Sequence, residues 1–375
     1  MAGLYIHIPF CKQKCHYCNF FSLASTKYKT QFIDALSKEI ELQKNYLQNE
    51  SLTSIYFGGG TPSMLNENEL YSLFDKIHST FTFETNAEIT FEANPDDLSK
   101  SYLKILSNSP VNRLSIGIQS FNDNELIYLN RLHTSQEAIR AIQTAQDLGI
   151  SSLSLDLIYG IPIATNESWL RNLDQFKALD VNHLSAYNLT REENTAYDIF
   201  IKKGKYSAPD DVQGEEHYQL LLNFAKVNGL EQYEVSNFAF DKKYAVHNTN
   251  YWKREKYLGI GPSAHSFNLT SRSWNIAQLN TYIKSINKGL LPNETEVLTV
   301  IDKWNELIMT GLRTKWGIDL NYLEGNFEEA WIQDFKKNAQ KHIENGKMVE
   351  NKNHFHLTEN GLFFADGIAS DLFRT

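Results

Sequence analysis

Cysteine is scarce in this sequence, and long apolar runs are missing from it. Only three of the 375 residues are cysteine, and all three fall between residues 11 and 18. A disulfide framework is excluded, because such close neighbours bridge poorly and one cysteine would be left over. No apolar run approaches the roughly 18–20 residues of a membrane span, and the N-terminal segment lacks the basic region that begins a signal peptide. We therefore expect a cytoplasmic protein that is not an integral membrane protein.

Clusters of basic residues are also lacking. The chain carries 36 Lys and Arg against 45 Asp and Glu, which gives a formal net charge of −9. A protein that binds nucleic acid normally presents a basic stripe, since its cations replace the counterions of the phosphates. The composition therefore argues against a nucleic-acid partner.

Short apolar strands alternate with amphipathic helices through the first half of the chain. Apolar alternation predicts the strands, and helical spacing of apolar residues predicts the helices between them. The predicted strands are residues 4–8, 54–57, 87–91, 113–118, 153–158 and 183–187. Repeated strand–helix units are typical of a parallel sheet, either an open doubly wound sheet or an incomplete βα barrel.

Polar residues follow or end nearly every one of these strands. They are the cysteines after the first strand, GGGTP at residues 58–62 after the second, and Glu92, Gln119 and Asn188 at the ends of the third, fourth and sixth, while Asp156 lies inside the apolar end of the fifth. These residues converge only if the sheet curls, and βα barrels carry their sites at that rim. The sequence therefore predicts an α/β fold, a partial (β/α)6 barrel over residues 1–200 with its site at the carboxyl ends of the strands.

The pattern changes beyond residue 200. We predict an extension over residues 201–300, in which a helix over residues 212–227 is followed by an irregular aromatic-rich stretch to about residue 267. Residues 301–375 are expected to form a small C-terminal α+β domain, whose helices and hairpin near Asn351 resemble a winged helix. We predict a single helix for residues 357–373.

The three cysteines form the pattern CxxxCxxC, which places three thiolates in one short loop. Cys11, Cys15 and Cys18 could hold zinc if His16 served as the fourth ligand, since thiolates suit zinc as well as iron–sulfur clusters. The alternative is a 4Fe–4S cluster, in which three protein thiolates leave one iron open for a small molecule. No fourth cysteine exists to build a second zinc knuckle, and the spacing favours the cluster.

At these residues the chain resembles the radical S-adenosylmethionine (SAM) superfamily, in which the methionine part of SAM chelates the open iron. Tyr17 matches the aromatic position that packs near the adenine, and GGGTP matches the segment near the methionine amino group. The segments YIHIPFC, GGGTP, FEANP and SIGIQSF, with Arg131 twelve residues after Gln119, resemble the coproporphyrinogen oxidase-like branch of that superfamily.

The resemblance implies a set of SAM-binding positions. These positions are Tyr5, Tyr17, Gly59, Gly60, Thr61, Glu92, Gln119, Arg131 and Asp156. Arg131 is suited to pair with the methionine carboxylate, and Gln119 and Asp156 are suited to hold ribose hydroxyls. Taken alone, each of these polar residues also fits a structural ion pair.

Two functions occur on this branch, and three features separate them. Oxygen-independent coproporphyrinogen III oxidases, which decarboxylate by radical chemistry, have a further cysteine where this chain has Phe20, and an N-terminal extension that is missing before Cys11. Residues 247–252, HNTNYW, match the HNxxYW motif of the branch's haem chaperones. The resemblance therefore implies haem binding without oxidase activity. It also implies delivery of haem to an acceptor haem protein of the cytosol or membrane, with the chain in the cytoplasm or peripheral at the membrane's inner face.

His247 is the expected axial ligand of the haem iron, with Tyr251 and Trp252 against the porphyrin face. The same motif also fits a polar turn that buries Tyr251 and Trp252, with His247 merely hydrogen-bonded. His265 is the main rival as the haem ligand. A different radical enzyme, such as a methyltransferase, ranks last, because the sequence has no further cysteine to carry a methyl group.

Overall fold

The computed structural model describes residues 2–375, and its largest element is a twelve-stranded sheet. Its centre is a run of six parallel strands: β1 (Ala2–Ile8), β2 (Leu52–Gly59), β3 (Phe83–Ala93), β4 (Arg113–Gln119), β5 (Leu153–Tyr159) and β6 (His183–Asn188). β1 and β4 are buried along almost their whole length, as a parallel sheet covered on both faces requires. The predicted fold class is confirmed.

Helices connect these strands and cover the outside of the sheet. They are α1 (Lys29–Leu42), α2 (Glu67–Thr80), α3 (Lys100–Asn108), α4 (Asp123–Tyr128), α5 (Ser135–Asp147) and α6 (Asn166–Ala178). α2 begins with a capping box, in which Asn66 and Glu69 each accept a backbone N–H of the other and so satisfy donors that the first turn leaves open. Its apolar stripe, which includes Leu73 and Ile77, is buried in the core.

The segment after residue 200 is regular, which corrects the prediction of an irregular stretch. It contains α7 (Ala196–Lys202), α8 (Asp211–Asn228), β7 (Glu231–Gln232), β8 (Asn237–Ala239), α9 (Val246–Trp252), β9 (Lys256–Ile260), β10 (His265–Phe267), β11 (Ser271–Asn275), α10 (Leu279–Asn287) and β12 (Asn293–Val297). β9 pairs in parallel with β1, and β8 pairs antiparallel with β6. The full order is β12-β11-β10-β9-β1-β2-β3-β4-β5-β6-β8-β7. Strands of two to five residues are too short to show an alternation pattern.

Residues 2–375 contain three buried apolar clusters, the smallest of which includes Ile158, Leu189 and Tyr197. Ile260 of β9 belongs to the same buried cluster as the central strands, so the extension shares the core of the barrel. The residues beyond 300 form a second cluster, in which Trp304 and Phe335 are buried. A backbone hydrogen bond of 2.9 Å from Val235 N to Arg313 O connects the two parts.

The C-terminal part combines helices with a three-stranded antiparallel sheet in the order β13-β15-β14. Its elements are α11 (Val300–Leu312), β13 (Ile318–Asp319), α12 (Leu320–Asn326), α13 (Glu329–Glu344), β14 (Met348–Asn351), β15 (His354–Leu357), α14 (Glu359–Leu362) and α15 (Ala365–Asp371). The predicted hairpin is confirmed. The single helix predicted for residues 357–373 is wrong, because Leu357 completes β15 and Thr358 caps the separate helix α14. Within residues 2–375, no helix has the length and apolarity to cross a bilayer.

Candidate cofactor site

A cavity of about 440 Å³ opens at the carboxyl ends of β1–β6. All six strands, or the loops that follow them, contribute to its wall, so the sheet curves enough to bring its strand ends together. Every residue predicted to bind the cluster or SAM, except Tyr5, lines this cavity. His247 does not line it.

The cysteine loop is held by backbone hydrogen bonds at both of its sides. The N–H of Cys11 donates to the carbonyl of Leu23 at 3.0 Å, and the N–H of Gly60 donates to the carbonyl of Ile8 at 2.8 Å. A side chain at position 60 would come within 3.0 Å of backbone atoms of Ile8 and Phe10. Glycine is therefore required where the GGGTP segment passes the cysteine loop.

Two side-chain donors are directed at the cysteine sulfurs. Thr61 Oγ1 donates to Cys11 Sγ at 3.4 Å, and Arg131 Nη1 donates to Cys15 Sγ at 3.3 Å. Burial raises the pKa of the Cys11 and Cys18 thiols, and the hydrogen bond from Thr61 partly offsets this for Cys11. The three sulfurs therefore lie in a shielded site with donors that would stabilise thiolates once a metal displaces their protons.

The donor set fits an iron–sulfur cluster better than a zinc ion with His16 as the fourth ligand. His16 does not line the cavity, because its Nδ1 hydrogen-bonds the carbonyl of Tyr128 at 3.1 Å and its ring packs edge-on against Phe200. In residues 2–375, no group of three His, Cys, Asp or Glu side chains has the spacing for a single metal ion. A 4Fe–4S cluster does not need such spacing, since each thiolate binds its own iron.

Arg131 is buried with part of its guanidinium unpaired. Its Nη2 donates to Asn94 Oδ1 and to the carbonyl of Gly117, both at 2.6 Å. Its Nε is buried and has no hydrogen-bond partner. Because a buried donor without an acceptor is costly, this side chain fits a ligand that brings an anionic oxygen, such as a carboxylate, into the cavity.

Gln119 reaches the cavity through a distortion of β4. The register between β4 and β5 shifts between Gly117 and Gln119, as in a β-bulge. Gln119 also has a φ of +69°, a conformation that is rare outside glycine. Strain of this kind at the end of a strand is typical of binding sites, and it is invisible in the sequence.

Two buried carboxylates face the same cavity. Tyr56 Oη donates to Glu92 Oε1 at 2.6 Å and Gly59 N donates to Oε2 at 3.3 Å, while Ser115 Oγ donates to Asp156 at 3.2 Å. Burial raises the pKa of Glu92 to about 7, with repulsion from Asp156 adding to it, and burial raises the pKa of Asp156 to about 6. Glu92 can therefore change its charge near neutral pH.

We expect Glu92→Gln to stabilise the cofactor-free protein, relative to wild type, more strongly as pH rises from about 4.5 to above 7. The folded protein keeps the Glu92 proton over this range while the unfolded chain has lost it, so wild-type stability falls with rising pH. Glutamine does not titrate. The difference in unfolding free energy between Glu92→Gln and wild type, measured by urea unfolding, should widen by on the order of 3 kcal/mol over this pH range.

Glu137→Gln is the control of opposite sign. The backbone N–H and hydroxyl of Thr134 lower the pKa of the exposed Glu137 carboxyl. Removing this carboxylate should therefore destabilise the protein at pH values above the lowered pKa. A Glu92→Gln gap that stays constant with pH would contradict a raised pKa at Glu92.

Tyr5 lies one layer beneath the cavity instead of in its wall, unlike the predicted SAM-binding position. Its hydroxyl hydrogen-bonds His7 Nδ1 at 3.1 Å, and its ring stacks on Tyr56 at 6.1 Å between centroids. Tyr17, in contrast, lines the cavity between the second and third cysteines. Tyr17 therefore lies in the wall of the cavity, and Tyr5 does not.

The imidazole of His247 lies inside the barrel and is only 1% exposed. Its Nδ1 hydrogen-bonds Ser54 Oγ and its Nε2 hydrogen-bonds Tyr251 Oη, both at 2.8 Å. Burial lowers its pKa to about 3, so the ring is neutral. The expectation of an accessible haem ligand is not met in this conformation, because ligation requires the ring to leave both partners. Axial ligation by His247 stays a prediction that demands an opening of α9.

The other members of the motif and the rival histidine are more accessible. Trp252 is half-buried beneath the guanidinium of Arg313, at 5.3 Å from the ring centroid. His265 is exposed on β10, where its ring lies 6.0 Å from that of Trp274.

Sequence reasoning missed several residues of the cavity wall, among them Asn94, Ser115 and Tyr187. Asn94 accepts from Arg131 and donates to Thr61 Oγ1 at 3.1 Å, so it orients two predicted site residues. It follows β3 directly, within FEANP, and the strand-end rule could have found it. Ser115 gives no such signal, because it lies inside a strand.

Comparison with known proteins assigns a family. The Radical SAM superfamily profile matches residues 5–176, and the HemN C-terminal domain profile matches residues 298–364. The chain is 32% identical over 364 residues to "Heme chaperone HemW" of Bacillus subtilis, with 96% of each chain covered. It is 33% identical over 384 residues to HemW of Haemophilus influenzae, which covers 100% of this chain and 98% of that protein.

Similarity extends to a solved structure. Coproporphyrinogen III oxidase (HemN) from Escherichia coli matches 99% of this chain and 90% of its own, with a TM-score of 0.86. At 24% identity this similarity establishes a shared fold. The family itself follows from the relatives above 30% identity, which are covered almost completely. The chain belongs to the HemW family of the radical SAM superfamily.

Proposed function

We propose that this protein is a haem chaperone, which holds a SAM-liganded 4Fe–4S cluster, binds haem and delivers it to an acceptor haem protein in the cytosol or at the inner face of the membrane. The observation that carries the cofactor assignment is the cavity, where three partly buried thiols lie beside Arg131 with its unpaired Nε. The names of the nearly full-length relatives support the haem assignment.

Different residues of the cavity would bind different parts of the cofactors. Cys11, Cys15 and Cys18 would hold the cluster, and the amino and carboxylate groups of SAM would chelate its open iron. Arg131 would offer its guanidinium to the carboxylate. The other polar residues of the wall would hold the rest of SAM: Glu92 would accept from the amino group, and Gln119 and Asp156 would accept from the ribose hydroxyls.

A chaperone fits the rim of the cavity better than an oxidase. Phe20 occupies the position of the additional cysteine in the oxidases, and it lines the rim with 64% of its side chain exposed. The chain has no cysteine beyond the three of the loop. Chemistry that needs a further thiol beside the cluster has no donor here, while an exposed aromatic ring suits contact with a flat porphyrin.

Anaerobic reconstitution followed by two incubations tests this proposal. With haem, we expect saturable binding with a Soret band. With coproporphyrinogen III, SAM and reductant, we expect no protoporphyrinogen IX. His247→Ala should weaken haem binding and change the Soret band while the iron content stays intact, because axial ligation supplies a directional bond that packing cannot replace.

His265→Ala is the matched variant, since it removes the rival imidazole on β10. Unchanged haem binding in His247→Ala, with loss of binding in His265→Ala, would assign the axial ligand to His265 on β10 instead. Product formation with released carbon dioxide would replace the chaperone assignment by the oxidase.

A further inference from the structure

A layer of four aromatic rings lies beneath the cofactor cavity and connects it to the HNTNYW segment. The layer consists of Tyr5, Tyr56, His247 and Tyr251. The His247 ring stacks on Tyr56 at 5.0 Å and 28°, Tyr5 stacks on Tyr56 at 6.1 Å, and Tyr251 meets His247 edge-on at 4.8 Å. None of the four lines the cavity. The layer therefore acts on bound ligands only through other residues.

His247 is locked in this layer from several sides. Ser54 and Tyr251 occupy its two ring nitrogens. The carboxylate of Glu88 accepts the N–H of His247 at 3.0 Å, which fixes the start of α9 against β3. A methyl group at Gly3 would approach the imidazole to 3.3 Å, so β1 closes the remaining side. The ring has one defined position, and it cannot shift without opening α9.

Tyr56 connects the ring of His247 to the cavity wall. Its ring contacts those of Tyr5 and His247, which also lie 6.5 Å from each other, and its hydroxyl donates to Glu92 Oε1 at 2.6 Å. A side chain at Gly58 would meet Tyr56 at 2.9 Å and Glu92 at 3.2 Å, which shows how little free space surrounds the pair. Because a phenol hydroxyl moves with the tilt of its ring, the support under Tyr56 determines where the Glu92 carboxylate lies.

We propose that His247 is a positioning residue for the cofactor cavity, which acts on Glu92 through Tyr56. The proposal rests on SAM occupying the cavity, but it does not depend on which residue ligates haem. It gives the HNTNYW segment a role in the haem-free protein. Haem ligation by His247 would withdraw the ring from Tyr56 and so remove the support of Glu92.

A double-mutant cycle on cluster-reconstituted protein tests this coupling. SAM affinity is measured by calorimetry for wild type, His247→Ala, Tyr56→Phe and the double variant. We expect each single change to weaken SAM binding by about tenfold, since Tyr56→Phe removes the hydrogen bond to Glu92 and His247→Ala removes the ring that supports Tyr56. In the Tyr56→Phe background, His247→Ala should have almost no further effect.

His247→Phe separates positioning from a loss of stability. It keeps a ring against Tyr56 but leaves Ser54 and Tyr251 without their partner, so the protein should unfold more easily while SAM affinity stays within about threefold of wild type. His217→Ala is the matched control. His217 is equally buried and stacks on Trp169, but its hydrogen bond goes to Gly160, outside the cavity wall.

Each outcome decides a different question. Full additivity of His247→Ala and Tyr56→Phe, or unchanged SAM affinity in His247→Ala, would overturn the positioning role alone. Equal weakening by His217→Ala would assign the effect to general destabilisation and overturn the role as well. A wild-type protein that carries the cluster but binds no SAM would overturn both this role and the cofactor assignment.

Discussion

Replacing Cys11, Cys15 or Cys18 by alanine should abolish the iron–sulfur cluster. After anaerobic reconstitution, bound iron should fall from about four atoms per chain to nearly none, with loss of the broad visible absorbance. The chain contains only these three cysteines, so no spare thiolate can replace the missing one. The variants should stay folded, because backbone hydrogen bonds from Cys11 N to Leu23 O and from Leu23 N to Pro9 O hold the loop, and its cysteines lie outside the apolar core.

His16→Ala is the control that separates iron from zinc. It removes the only nearby imidazole in the loop without touching a thiol, so the iron content should stay at the wild-type value. A protein that takes up one zinc and loses it in His16→Ala would support the zinc site instead. Retention of four irons by any single cysteine variant would also contradict the assignment.

Arg131→Met should weaken SAM binding by on the order of 100-fold, because hydrogen bonds to a charged group contribute about 1.5–3 kcal/mol. Arg131 lines the cavity and its buried Nε has no hydrogen-bond partner, whereas a hydrophobic side chain offers nothing to a carboxylate. Arg131→Lys should also bind SAM poorly, since a lysine has no second donor in a fixed plane. Calorimetry on reconstituted protein gives both affinities.

Iron content provides the internal check on Arg131. The cysteines, not the arginine, are the proposed ligands of the cluster, so both variants should still assemble it. Arg171→Met is the matched control, since Arg171 is exposed on α6, away from the cavity. SAM affinity within about threefold of wild type in Arg131→Met would show that the carboxylate has another partner.

Strand ends were the features that the sequence revealed best. In a parallel sheet the carboxyl ends of all strands meet at one edge, so the rule that found Glu92 and Gln119 needed only the order of strands and helices. Predicting the cysteine site required even less information, because the spacing of the three cysteines alone limits the kinds of metal site they can form. Both kinds of signal are local in the chain, which is why they survive without a structure.

Depth inside the barrel was not predictable. Tyr5 and Tyr56 point inwards, but periodicity gives the face of a strand and not the layer, so it cannot tell that these rings stop short of the cavity. The HNTNYW motif identifies His247 as a candidate ligand, but it does not predict the direction in which the imidazole ring points. The backbone of Gln119 depends on a bulge that only tertiary packing fixes.

The position of β1 in the sheet has a consequence for synthesis. β1 precedes the other eleven strands of the sheet in the chain, yet it pairs on one side with β9, where Ala2 meets Lys256. Its second edge therefore stays unpaired until most of the chain has been made, and closing so long a loop is slow. During that interval the cysteine loop next to β1 is exposed together with a strand edge that can pair with other chains. The thiols are thus made first, and the enclosed site to which they belong is completed among the last parts of the sheet.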